Sequence, residues 1–258
     1  MTSKQVMLIP VVLAALTGCT VTPGKAKVDP GPYDQRVVYA IAPPLNESGS
    51  LHVDPPLLAD HLARAFENVR NIDVLPVNRT LAAMEQRGLT RIMAPSQALD
   101  LLRALDADAL VIGVVATYDP YDPPKMAMAL DLYYRDGFNP HTGVDPRVLT
   151  RAASGPQTTP APGATGQPVT AVSGSFDAAD PRVRWALKNY AWDRGDDVEE
   201  PIWRRLVPNP SAMRRHQAQI YRISMDLFSQ FVTHEMGWRL IEAERRRLAP
   251  VMAAHADP

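Results

Sequence analysis

The chain has 258 residues, one cysteine and a formal net charge of −1 from 27 basic and 28 acidic side chains. Near-neutral charge with no basic block excludes a nucleic acid held through its phosphates. Its length, less a leader, suits one domain with a substantial core or one domain plus an appendage, and its 25 clustered prolines mark linkers and turns.

The first segment is a leader. One cation, Lys4, precedes the apolar run Val6 to Leu16, and Leu16-Thr17-Gly18-Cys19 closes it. The run is too short for a hydrocarbon core of about 30 Å, which takes roughly 20 residues, and Pro10 weakens it as a helix. The closing tetrad resembles the bacterial lipobox, which implies cleavage before Cys19 and lipidation, including palmitate, of the only thiol in the chain. Thr20 stands where an aspartate would favour inner-membrane retention, so the expected destination is the outer membrane, on its periplasmic face.

The expected organisation is a signal peptide over 1–18, a lipidated tether over 19–35, an α/β domain over 36–135, a flexible insertion over 136–175 and a helical extension over 176–250. The insertion rests on Arg151 to Thr170, which is rich in Pro, Gly, Ala and Thr and poor in large apolar residues.

Within the domain, Val37 to Ala42 reads as a buried strand ending at Pro43-Pro44. Pro56 to Val69 has Leu58, Leu62, Ala65, Phe66 and Val69 at helical spacing. Ile72 to Val77 predicts a second strand. Asn78 and Ser96 are expected to cap two further helices, the first stopped by Gly88. Ala109 to Ala116 is the most strand-like run, and Met126 to Tyr134 alternates behind a Tyr-Asp-Pro-rich connection, which predicts an antiparallel hairpin. The sum is α/β, a small mixed-sheet β-α-β-α-α-β-β layer. Beyond it, Asp180 caps a helix to about Trp192. A long helix from Asn209 or Ser211 to about Leu248 carries Ile220, Ile223, Leu227, Phe231, Trp238 and Ile241, with Gly237 marking a bend or close packing.

The strand followed by Pro43, Asn46, Ser48 and Gly49, together with Leu105-x-Ala107-Asp108-Ala109 to Gly113, resembles the group of periplasmic lipoprotein domains that includes CsgG, LpoB and the N-terminal domain of TolB. The resemblance covers about Val37 to Tyr134. It implies a non-catalytic domain used for protein contacts in the envelope. Lipid-facing strands of the pore-forming branch are not found in the sequence.

The chemical motifs fail one by one. The turn after the first strand has two prolines and Glu47 where a phosphate site needs glycines; Asn46 and Ser48 are expected to close that turn on its own backbone. His234-Glu235 begins a zincin motif, but Trp238 takes the place of the second histidine, so neither metal nor cofactor is expected. No G-x-S-x-G occurs. Asp196-Asp197 and Glu199-Glu200 read as a solvated loop.

Two candidate contact surfaces remain. Tyr118, Asp119, Tyr121 and Asp122 lie on a proline-stiffened connection, and tyrosine offers large contact area at small entropic cost. The long C-terminal helix has an apolar stripe suited to its own sheet, to a partner or to self-association, and ends near Arg245-Arg246-Arg247. The expected function is a membrane-anchored envelope module that binds or assembles an envelope protein or cell-wall component. The alternative from another class is a lipid-anchored envelope or cell-wall hydrolase.

Overall fold

A computed structural model describes residues 29–138, 140, 167–195 and 219–256. Cys19, the body of the insertion, the acidic pairs at 196–200, Asn209 and Ser211 lie outside the described residues.

The strands are β1 (Val37–Ile41), β2 (Leu45–Asn46), β3 (Ile72–Val74), β4 (Ala109–Asp119), β5 (Lys125–Tyr134) and β6 (Thr170–Asp177). They form one six-stranded mixed sheet in the order β3-β1-β4-β5-β6, with β2 pairing β4 beyond the end of β1. β1 runs parallel to β3 and β4, while β4-β5 and β5-β6 are antiparallel. The helices are α1 (Pro55–Glu67), α2 (Val77–Glu85), α3 (Pro95–Leu105), α4 (Pro181–Gly195) and α5 (Met225–Ala256). None is long and apolar enough to cross a membrane among the described residues.

Both faces of the central strands are covered, which is why β1 and the start of β4 read as continuous apolar runs. Val37, Tyr39, Ile41, Val111 and Val115 meet Leu58, Leu62 and Phe66 of α1 and Phe228, Phe231 and Met236 of α5. Ala40, Ala42 and Leu110 meet Ala83 and Met84 of α2 and Leu101, Leu102 and Leu105 of α3. On β5 the alternation holds, with Met126, Met128, Leu130 and Leu132 all buried on the α1-α5 side.

Local chemistry departs from expectation at two caps. α2 starts at Val77 behind Pro76 with no side-chain cap, so Asn78 lies inside the helix. α3 starts at Pro95; the Gln97 side chain accepts from the Met93 and Ala94 amides at 2.7 and 3.2 Å, a role expected of Ser96. At α3, Pro95 itself takes the first helical position, where its fixed φ suits a helical start.

Larger departures concern the boundaries. Residues 29–35, expected to belong to a tether, are bonded into the domain, and Tyr33 is buried. Thr170 to Ser175, expected to end the insertion, are the main part of β6. Its small residues hid it. At Gly174 the strand passes close under α5: a Cβ there would fall 2.6 Å from the Arg239 guanidinium and 2.9 Å from the Met236 sulfur, so those side chains would have to move aside. The long helix begins at Met225, after a break at Ser224, whose hydroxyl and carbonyl accept from the Leu227 and Phe228 amides. Its buried face is Phe228, Phe231, Val232, Met236, Leu240, Ile241 and Leu248, while Ile220, Ile223 and Trp238 are exposed. At Gly237 the close approach is real, since a Cβ there would meet the Ala65 Cβ at 3.1 Å.

Candidate interaction site

α1 runs between two chemically different ends of the molecule, about 20 Å apart along its axis. At its C-terminal end lie the first described residues of the chain, from Asp29. The Asp29 amide donates to the Asn68 carbonyl at 2.8 Å and the Arg70 amide to the Asp29 carbonyl at 2.9 Å. Arg245 Nη2 donates to the Pro30 carbonyl at 2.6 Å, and Asn71, in the left-handed conformation with φ 64°, donates through Nδ2 to the Tyr33 carbonyl at 2.8 Å. Gly31 lies so close to the Arg70 carbonyl that a side chain has no room.

Tyr33 opens a buried polar cluster. Its hydroxyl bonds those of Tyr39 and Tyr134, the latter at 3.1 Å. Tyr134 also donates to the Glu244 carboxylate, which has no exposed surface and accepts in addition from Thr170 and from Arg247 Nε and Nη2 at 2.8 and 2.6 Å. Burial pushes all three phenols up from the ordinary tyrosine range, and the Glu244 carboxylate adds to it. The carboxylate faces only these donors and opens onto no described groove. The cluster therefore joins the arriving chain, β1, β5, β6 and α5, a structural task that no sequence motif signals.

At the other end stand the β4-β5 connection and the N-termini of α1 and α5. The Asp119 carboxylate accepts from the Tyr121 amide at 3.1 Å and so closes the turn. Lys125 pairs with Asp177 at 3.0 Å, and the Ala178 amide donates to the Pro124 carbonyl at 3.0 Å, which fastens the connection to β6. The four expected contact residues separate here. Tyr121 is 77% exposed and Asp122 is exposed, but Tyr118 packs against the core beside β5. Burial raises the Tyr118 phenol pKa, and the carboxylates of Asp226 and Asp54 add to the effect.

Those two carboxylates locate the rest of this end. Asp54 caps α1 by accepting from the Leu57 amide at 3.1 Å, and Asp226 sits in the first turn of α5. Leu51 and Leu57, 98% and 39% exposed, flank Asp54 in the chain, and Ile223, 63% exposed, precedes Asp226. Before them, the Asn46 carboxamide oxygen accepts from the Ser48 amide and hydroxyl at 3.1 and 2.7 Å, the expected self-closed turn. Leu51 was legible as a large apolar residue stranded in a Gly/Ser turn; the approach of Asp226 was not, because it depends on how α1 and α5 pack.

Among the described residues no three of His, Cys, Asp and Glu are grouped to hold a metal. His234 lies against the Tyr190 ring, with centroids 5.0 Å apart. Three surface grooves of about 460 to 620 Å³ lie elsewhere, and none of the three is lined by histidine or serine. What the hairpin end offers is aromatic and aliphatic contact area edged by carboxylates, on a backbone held from several sides.

No family model matches the chain, and no curated protein matches it. Among solved structures it is similar to the lipoprotein GNA1162 from Neisseria meningitidis, at 15% identity over 64% of this chain and 99% of that one, with a TM-score of 0.38. It is similar to the LpoB C-terminal domain from Salmonella enterica, at 15% identity over 65% and 93% of the two chains, with a TM-score of 0.36. A third similar structure is the hypothetical protein CT253 from Chlamydia trachomatis, at 10% identity over 81% and 98%, with a TM-score of 0.38.

Proposed function

We propose that this protein is a lipid-anchored, non-catalytic module of the bacterial cell envelope that binds or scaffolds another envelope component through the hairpin end. Cys19, in its lipobox-like setting, is the anchor, and the outer membrane facing the periplasm is the site of action.

The observation that carries the reading is the separation of the two ends. The chain coming from the anchor is bonded at Asp29 beside the C-terminus of α1, whereas Tyr118 and the exposed Tyr121 lie by its N-terminus. An anchor at one end leaves the other free to meet a partner. The exposed aromatic and aliphatic residues there suit a protein surface, since rigid aromatic anchors lose little entropy on binding.

Two measurements test this. Labelling with a palmitate analogue in cells should be lost in Cys19→Ser; retained labelling refutes the anchor. A photo-crosslinking amino acid at Tyr121 should capture a defined envelope partner that the same probe at Arg70, beside the tether, does not. Equal capture from both ends, or none from Tyr121, refutes the assignment of the contact surface.

A further inference from the structure

The two edges of the sheet differ. β3, at one, is three residues long, pairs Asp73 with Arg36 in a salt bridge and is closely followed by Pro76. β6, at the other, is eight residues long, pairs β5 without a register shift and has no proline, lysine or arginine. The ladder fixes which backbone groups β5 takes. The Ala178 amide donates to the Pro124 carbonyl at 3.0 Å, and bonded pairs recur at every second residue of an antiparallel ladder. Val172, Gly174 and Phe176 therefore bond β5, whereas Ala171, Ser173 and Ser175 turn their N–H and C=O groups away from it. Among the described residues nothing bonds those outward groups. The three side chains are small and exposed, so they leave the edge open. Sheet edges are ordinarily guarded by short length, charge, proline or a bulge, and from Ala171 to Phe176 β6 has none of these.

We propose that β6 is a docking edge for an extended, acidic segment of another protein, which adds to the sheet as a further strand and sets a carboxylate against Arg239. Donors and acceptors alternating along one line at strand period are the pattern that the backbone of an extended chain matches, and alternate side chains of that chain supply the selectivity. Charge selects the strand. Arg239 of α5 is exposed, and its guanidinium lies 4.7 Å from the Phe176 ring centroid and beside Gly174, on the helix-covered side of this edge. Glu235, one turn earlier, lies near it but forms no salt bridge with it. A second copy of this chain, added antiparallel about the middle of β6, would bring two such cations to one axis. An Asp or Glu opposite Gly174 in a foreign strand meets one cation and pairs with it. The edge is a surface separate from the exposed ring of Tyr121, and its use does not depend on that ring.

Amide exchange and shift titration by NMR, on the full isotope-labelled chain in detergent micelles, test the proposal with one probe, the end-blocked peptide Thr-Val-Thr-Glu-Thr-Val-Thr. In the free chain the amides of Ala171, Ser173 and Ser175 should exchange at least about tenfold faster than those of Val172, Gly174 and Phe176. Peptide at about 2 mM should slow the first three. Lysine in place of the peptide's glutamate should weaken binding by roughly fivefold or more, and so should Arg239→Gln, a change at an exposed side chain that leaves the fold intact. N-methylation of the third and fifth peptide residues, whose amides face β6 when the glutamate stands opposite Gly174, should abolish binding. Outward amides already protected in the free chain, or unprotected at the highest peptide concentration, overturn the proposal. Protection that instead grows with protein concentration assigns the edge to a second copy and overturns it as well. Equal binding of the lysine peptide overturns the acidic partner, and binding that survives N-methylation overturns strand addition. None of these outcomes bears on capture at Tyr121, so this edge and the proposed function stand or fall separately.

Discussion

Tyr134 and Glu244 are 110 residues apart in the chain, and the phenol donates its hydrogen to a carboxylate that has no exposed surface. Arg247 grips the same carboxylate through two nitrogens, and Thr170 completes it. Replacing Glu244 by alanine strands a guanidinium and two hydroxyls, so the expected loss is about 3 to 5 kcal/mol in urea unfolding. Tyr134→Phe removes one donor to a charged acceptor and should cost about 1 to 3 kcal/mol. The two together should lose less than the sum of the singles, because they share one network. Additive losses would mean the groups act separately.

The same cluster fixes a response to alkali. Tyr33, Tyr39 and Tyr134 all have folded pKa values raised above the ordinary 10, chiefly by burial. Below 10 the phenols are neutral in both states and their contribution is intact. Above it the unfolded chain ionises while the folded one does not, so stability falls with rising pH by about 1.4 kcal/mol per unit for each phenol. Absorbance at 295 nm should show the exposed tyrosines ionising reversibly and these three only as the protein unfolds. Their early, reversible titration would contradict the buried geometry.

Gly31 gives the segment from Asp29 to Tyr33 its own test. With the Arg70 carbonyl 1.9 Å from where a Cβ would stand, Gly31→Ala displaces backbone, and no rotamer relieves the overlap. The expected result is detachment of residues 29–33, a loss of about 1 to 3 kcal/mol and new tryptic cleavage at Arg36. Wild-type cleavage and stability in this variant would mean that the strap is not bonded as described.

Elements with strong period were legible in the sequence: β1, β4, β5 and α1 lie close to where Val37 to Ala42, Ala109 to Ala116, Met126 to Tyr134 and Pro56 to Val69 predicted them. β6 was not, because its inward side carries only Thr170, Val172, Gly174 and Phe176 among Ser, Ala and Thr neighbours, too weak an alternation to stand out from the Pro/Gly-rich run before it. The contact site was half legible. Proline and Asp-Tyr chemistry marked the β4-β5 connection, but which ring faces solvent depends on the register shift between Val115 and Thr117, which turns Tyr118 opposite Met126 on the core side. The buried Glu244 cluster left no trace in sequence, since its members come from five separated segments.

That split between the two rings supplies the last expectation. Tyr121 is mostly exposed with its amide bonded to Asp119, so Tyr121→Ala removes a ring from solvent and keeps the turn; its effect on unfolding should be within about 0.5 kcal/mol. Tyr118 is packed on the core, and Tyr118→Ala should cost about 1 to 3 kcal/mol, whereas Tyr118→Phe keeps the packed ring and should restore most of the loss. On partner capture the order reverses. A surface anchor lost in Tyr121→Ala should lower binding by about 2 kcal/mol or more with stability unchanged, while Tyr118→Phe should bind as the parent does. Chemical denaturation and cross-linking on the same four proteins separate the roles. If Tyr118→Phe weakens capture and Tyr121→Ala does not, the partner reads the buried hydroxyl and not the exposed ring, and the contact surface lies deeper, toward Asp54 and Asp226.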